Sequence, residues 1–291
     1  MKLCRHGAAG RELPGLIDRQ GAVRDLSSVV RDLGAEQLTP AWLETLRRID
    51  PDSLPSVAGA PRLGVPWSGI GKFIAIGLNY VDHAHESNLP IPTEPVVFMK
   101  PVSCIVGGND DVMQPKGSTK LDWEVELGVV IGTAAQDVSE ACALGHVAGY
   151  CLVNDVSERA FQLQSSQWDK GKGCDTFGPI GPWLLTADEV PDPQALDMWL
   201  DVNGSAMQRG NTRTMIFSVA QIVSYLSRYM TLYPGDVICT GTPPGVGMGK
   251  KPAPIFLQPG DVVTLGIEGL GTQRQQIVPW ARTLGGGTAA R

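Results

Sequence analysis

The run Leu127-Gly128-Val129-Val130-Ile131 is apolar at every position. Successive side chains of a strand point to opposite faces, so a strand here must be covered on both sides. The approach to it, Asp122-Trp123-Glu124-Val125-Glu126, alternates polar and apolar instead. Segments 73–76, 96–99, 150–153, 196–202, 237–239 and 262–267 also read as short strands, and Asn203-Gly204 after 196–202 is a hairpin turn signal. Two helices interrupt the series. Thr39-Pro40 supplies a cap residue and a first-turn proline, followed by Trp42, Leu43, Leu46 and Ile49 at helical spacing up to Asp50-Pro51. Ser218 and Gln221 form a capping-box pattern ahead of a stripe of Val219, Ile222, Val223, Leu226 and Met230. The expected fold is therefore α+β and β-rich, with sheets packed face to face.

With 291 residues the chain has room for about two domains, or one large domain and an appendage. Residues 1–68 read as a small N-terminal module ending in a Pro/Gly/Ala-rich linker at 55–66. Residues 69–282 read as the main domain, and the Gly-rich 283–291 as a disordered tail. The net charge of −6 argues against a nucleic-acid or anionic-lipid partner. No signal-peptide pattern and no apolar run of membrane-spanning length is present, so a cytoplasmic location is expected. The six cysteines are scattered without a C-x-x-C pair and read as free thiols, not a zinc site.

Glu124 and Glu126 share one strand face. Alone they could be a solvated edge, but the doubly buried run that follows places them at the mouth of a covered strand. There two adjacent carboxylates repel unless they share a cation. An oxygen-only pair suits Mg²⁺, Mn²⁺ or Ca²⁺. Asp155, at the end of the 150–153 strand, is either a third ligand or a helix cap. His83 and Glu86 meet on one face if their segment turns helically, which would give a water-activating base; a polar surface turn is the plainer reading. The Gly-rich stretch around Lys170 and Lys172 is an exposed loop or a source of positive charge for an anionic intermediate. The turn at 240–247 offers hydroxyls and backbone N–H groups to a carboxylate. Segment 245–251 fails as a P-loop, because Pro244 and Lys251 stand where Gly and Ser/Thr are needed, and no G-x-S-x-G elbow occurs.

Taken in order, the motifs Gly77-Leu78-Asn79-Tyr80 with His83 and Glu86, Phe98-Met99-Lys100-Pro101, Trp123-Glu124-Val125-Glu126-Leu127-Gly128 and Asn154-Asp155-Val156-Ser157-Glu158-Arg159 form a family pattern. Gln167-Trp168 with Gly171-Lys172, Asp175-Thr176-Phe177-Gly178-Pro179 and Thr240-Gly241-Thr242-Pro243 complete it. The chain resembles the fumarylacetoacetate hydrolase family over about 71–282. That resemblance implies a mixed β-sandwich or roll, a homodimer, and a divalent metal, commonly Mg²⁺, on Glu124, Glu126 and Asp155. It further implies a His83–Glu86 dyad, an active-site Lys172, and substrate contacts from Tyr80, Arg159, Gln167 and Thr242. The implied activity is hydrolysis of a C–C bond in a 2,4-diketo acid with release of pyruvate. The overall pattern is most similar to the branch acting on 2,4-diketo-3-deoxy sugar acids, also labelled ureidoglycolate lyases. Oxaloacetate decarboxylation and 2-hydroxyhepta-2,4-diene-1,7-dioate isomerisation are alternatives on the same site, and a metal-stabilised binding protein is the non-enzyme alternative. One departure is Leu78, where several acylpyruvate-cleaving members carry Arg.

Overall fold

A computed structural model describes residues 1–82 and 90–281. A ten-stranded mixed sheet and a five-stranded sheet form the bulk of the chain. The Val125–Ile131 strand is buried at all seven positions, as its composition demands. It runs antiparallel to Val147–Asn154 on one side and to Val237–Cys239 on the other. Val237–Cys239 in turn lies parallel to Phe73–Gly77, so the centre of the sheet joins strands far apart in sequence. Val96–Lys100 closes this edge beside Phe73–Gly77.

Residues near the N-terminus extend the opposite side of the same sheet. Lys2–His6 pairs with Gly178–Thr186, and Leu13–Ile17 and Val23–Asp25 follow outward. Leu3 and Leu26 join one continuous core with the central strands, and the Trp67 indole donates to the Gly235 carbonyl at 2.9 Å.

The five-stranded sheet contains the hairpin Asp197–Val202 and Ser205–Asn211. Its turn residues Asn203 and Gly204 both hold positive φ (50° and 76°), the geometry that Asn-Gly supplies with least strain. Strands Val262–Ile267 and Gly271–Val278 continue this sheet, which packs on Val125–Ile131 and Val147–Asn154. The Val219–Ser227 helix is capped by Ser218 and Gln221 in reciprocal bonds of 3.2 and 2.8 Å and buries Val219, Ile222, Val223 and Leu226; Met230 lies beyond its end. The Pro40–Arg47 helix begins at its proline, but the Thr39 hydroxyl does not cap it. That hydroxyl donates backward to the Glu36 carbonyl at 2.8 Å.

All six cysteines are free thiols. Among the described residues, no helix is long and apolar enough to cross a membrane.

Candidate metal and substrate site

The antiparallel pairing of Val125–Ile131 with Val147–Asn154 sets Asn154 opposite Val125 and Val153 opposite Glu126. Glu124 and Glu126 therefore emerge on one face, and Asp155 follows directly from the neighbouring strand. Oxygens of these three buried side chains lie within 4.8 Å of one another. The helix-cap alternative for Asp155 falls away, because Glu158 caps the short Arg159–Gln162 helix by accepting from the Ala160 N–H.

Three buried cations converge on the triad. The Lys172 ammonium donates to Glu124 Oε2 and Asp155 Oδ2, both at 2.7 Å. Lys100 donates to Asp155 Oδ1 at 2.5 Å and to the carbonyl of Lys172. Arg159 donates to Glu124 Oε1 at 2.6 Å, to Asp122 Oδ2 at 2.8 Å and to Gln162 Oε1 at 3.0 Å. The short Asp169–Lys172 helix reaches this depth because Gly171 lies against the Gln162 backbone. A Cβ at Gly171 would stand 2.5 Å from the Gln162 nitrogen.

Electrostatics separates the two glutamates. Burial opposes the charge on Glu124, but Lys172 and Arg159 outweigh it and hold that carboxyl well below the usual range. Burial pushes the Glu126 carboxyl well above it, and repulsion from Asp155 and Glu124 adds to the shift. Glu126 accepts one hydrogen bond, from the Gly241 N–H at 2.8 Å, and has no ion pair among the described residues. Among the described residues, buried carboxylates Asp122, Glu124, Glu126 and Asp155 thus face three buried cations, Lys100, Lys172 and Arg159. The deficit of positive charge falls at Glu126. An all-oxygen donor set with that deficit fits a hard divalent cation.

Glu124 and Glu126 open into a cavity of about 330 Å³. Glu124, Glu126, Arg159, Lys172 and Lys251 supply its charge, and Ile76, Leu78, Phe98, Leu163, Trp168, Val246 and Met248 make apolar wall. Phe98 and Trp168 meet edge to face at 5.3 Å, and the Lys172 ammonium lies 5.3 Å from the Phe98 ring centroid. Leu78 holds φ 54°, unusual for a branched side chain. The next residue, Asn79, pins this turn by bonding Phe217 N–H, Phe217 O and Thr240 O at 2.8–3.0 Å.

The sequence expectations divide here. Lys172, Arg159 and Thr242 line the cavity with Glu124 and Glu126, while Asp155 is wholly buried and does not line it. Thr242 has its hydroxyl engaged, donating to the Val125 carbonyl at 2.9 Å and accepting from Gln208 at 2.8 Å. Of Arg159's five N–H donors, three are spent on Asp122, Glu124 and Gln162. Two expected substrate contacts, Tyr80 and Gln167, do not line this cavity. Tyr80 is wholly buried outside the cavity, its hydroxyl 3.1 Å from Met198 Sδ. Gln167 is exposed on the outer surface, its N–H and carbonyl tied to Ser165; Gln162 occupies the cavity instead. His83 and Glu86 lie outside the described residues. Lys100 and Asp122 had no assigned role in the sequence reading. The signal for Gln162 was its spacing three residues after Arg159.

The model of the fumarylacetoacetate (FAA) hydrolase C-terminal family matches residues 72–278. The chain belongs to the fumarylacetoacetate hydrolase family. A Burkholderia ambifaria protein described as a hydrolase is 63% identical over 276 residues, covering 94% of this chain and 98% of that protein. The maleylpyruvate hydrolase from Sphingobium sp. SYK-6, solved in complex with manganese(II) and pyruvate, is similar at a TM-score of 0.80 and 27% identity, over 97% of this chain and all of that one. The 2-hydroxyhepta-2,4-diene-1,7-dioate isomerase from Mycobacterium marinum is similar at 0.72 and 32%, again over 97% of this chain and all of that one. Structures similar to this chain therefore include both a hydrolase and an isomerase.

Proposed function

We propose that this protein hydrolyses a C–C bond in a 2,4-diketo acid and releases pyruvate, with Mg²⁺ or Mn²⁺ held by Glu124, Glu126 and Asp155. The observation that carries the reading is the carboxylate triad whose Glu124 and Glu126 line a cavity beside Lys172. A bound divalent cation supplies Lewis-acid polarisation to an α-keto acid head group. Lys172 holds permanent positive charge beside that position, since Asp155 and Glu124 outweigh burial and raise its pKa. The Arg159 N–H groups with no bond shown among the described residues give the substrate carboxylate a second contact. Phe98 and Trp168 exclude water from the reacting carbons. His83, oriented by Glu86, takes a proton from water, and the resulting hydroxide adds to C4. The C3–C4 bond then breaks, its electron pair goes to C3, and protonation of that enolate gives pyruvate beside the acid formed from C4.

The sequence pattern favours a 2,4-diketo-3-deoxy sugar acid. The apolar wall at Leu78, Leu163 and Met248 instead favours an acyl chain with few hydroxyls. The isomerase neighbour supports a second reading, proton transfer on a hydroxy-diene diacid over the same cation. The test is a substrate panel with Mg²⁺ or Mn²⁺ and then with excess EDTA. It holds a 2,4-diketo-3-deoxy sugar acid, acetylpyruvate, fumarylpyruvate, oxaloacetate, ureidoglycolate and the diene diacid. EDTA-sensitive pyruvate release from a diketo acid supports the proposal. Metal-dependent isomerisation or decarboxylation without C–C hydrolysis overturns the choice of reaction. Tight ligand retention without any turnover favours the binding-protein alternative.

His83→Ala is expected to keep Mn²⁺ affinity and lower kcat by about 10²–10⁴-fold, the usual worth of a positioned general base. An unchanged kcat would remove His83 from the mechanism.

A further inference from the structure

The Gly271–Val278 strand turns Gln273, Gln275 and Ile277 into the space between the sheets, while Thr272, Arg274 and Gln276 face out. Two of those three inward positions are polar where apolar side chains would pack at no hydrogen-bonding cost. Every amide group there is nevertheless satisfied. Gln273 donates to the carbonyls of Leu152 and Gly181, both at 2.8 Å. Gln275 donates to the Gly108 carbonyl at 2.5 Å and to Gln273 Oε1 at 2.9 Å. Asn154 donates to Gln275 Oε1 at 3.0 Å, and Asn154 Oδ1 accepts from the Glu124 N–H at 3.1 Å.

The direction of this chain is forced at both ends. Carbonyls at Leu152, Gly181 and Gly108 can only accept, so Gln273 and Gln275 must present their NH₂ groups to them. Gln275 Oε1 then faces Asn154, and Asn154 Oδ1 faces Glu124. The Glu124 N–H lies just past the last strand pair, Asn154 with Val125, where the ladder offers it no partner. The Asp155 N–H donates to the Glu124 carbonyl at 2.9 Å, closing a ring between the two carboxylate-bearing residues.

We propose that Gln273, Gln275 and Asn154 form a one-way amide chain that positions Glu124 against Asp155, so that residues of the second sheet set the spacing of the metal-binding carboxylates. They are positioning residues, touching neither cation nor substrate. The inference rests on the metal reading of the triad.

The test is Mn²⁺ titration followed by electron paramagnetic resonance on the wild type, Gln275→Leu, Asn154→Ala and the double variant, with thermal unfolding in EDTA alongside. Each single variant should weaken Mn²⁺ binding by about 10–100-fold, as loss of an outer partner of a ligand does. The double variant should be no weaker than the weaker single, because one broken link disables the chain. Gln275→Met keeps length and flexibility, carries the same expectation, and covers the case in which leucine disrupts folding. Wild-type Mn²⁺ binding with Gln275→Leu and Gln275→Met within twofold of it, or additive losses in the double variant, would overturn the positioning role. A wild type that binds no Mn²⁺ would overturn the metal reading itself, and the inference with it.

Discussion

Glu126→Gln is expected to abolish Mn²⁺ binding and turnover while leaving the fold as stable as before, or more so. Glu126 has no cationic partner among the described residues, so neutralising it strands no buried charge. The glutamine oxygen can still accept the Gly241 N–H. What disappears is the carboxylate that leaves the site short of positive charge. Turnover should fall by about 10³-fold or more, since Lewis-acid stabilisation of several kcal/mol is at stake and each 1.36 kcal/mol is tenfold. Thermal unfolding in EDTA, Mn²⁺ titration and initial rates check the three parts separately. Retained Mn²⁺ affinity would remove Glu126 from the ligand set, and a large drop in melting temperature would contradict the account of its surroundings.

Glu124→Ala should behave differently although the residue lies two positions away on the same strand face. It too should lose Mn²⁺ and nearly all turnover. It should also lose stability, by about 3–5 kcal/mol, because removing one partner of a buried ion pair leaves the other uncompensated. Here two partners, Arg159 and Lys172, lose an acceptor at 2.6 and 2.7 Å. Denaturant unfolding in EDTA measures this directly. Stability equal to that of Glu126→Gln would show that these ion pairs contribute little to the fold.

The contrast between the two glutamates marks what the amino-acid sequence could reveal. Period-two alternation placed them on one face, and the apolar run after them placed that face at a covered strand. Both are local signals, and the Asn-Gly hairpin and the Ser218 capping box are legible for the same reason. The cations that distinguish Glu124 from Glu126 arrive from segments whose convergence is purely tertiary. Lys100 ends an edge strand, and Lys172 ends a four-residue helix seated by Gly171. Motif matching did not reveal where Tyr80 and Gln167 point, because adjacency in a motif says nothing of direction. Tyr80 turns into the core toward Met198, and Gln167 faces solvent. Gln273 and Gln275 escaped notice because glutamine at alternate positions resembles a solvated strand edge until the second sheet is laid over it.

The central place of Val237–Cys239 also bears on how the chain reaches this state. Both of its neighbours, Phe73–Gly77 and Val125–Ile131, come much earlier in the sequence. During synthesis from the N-terminus, each of them therefore presents an unpaired hydrogen-bonding edge until the late strand is made. Such edges recruit other strands, including those of neighbouring nascent chains. Pairings this distant in sequence also form slowly. Gly241, which donates to Glu126, lies just beyond that late strand. Docking of that strand thus both covers the two waiting edges and brings the Gly241 donor to the pocket, so the same step that reduces the chain's exposure to aggregation also helps to complete the site.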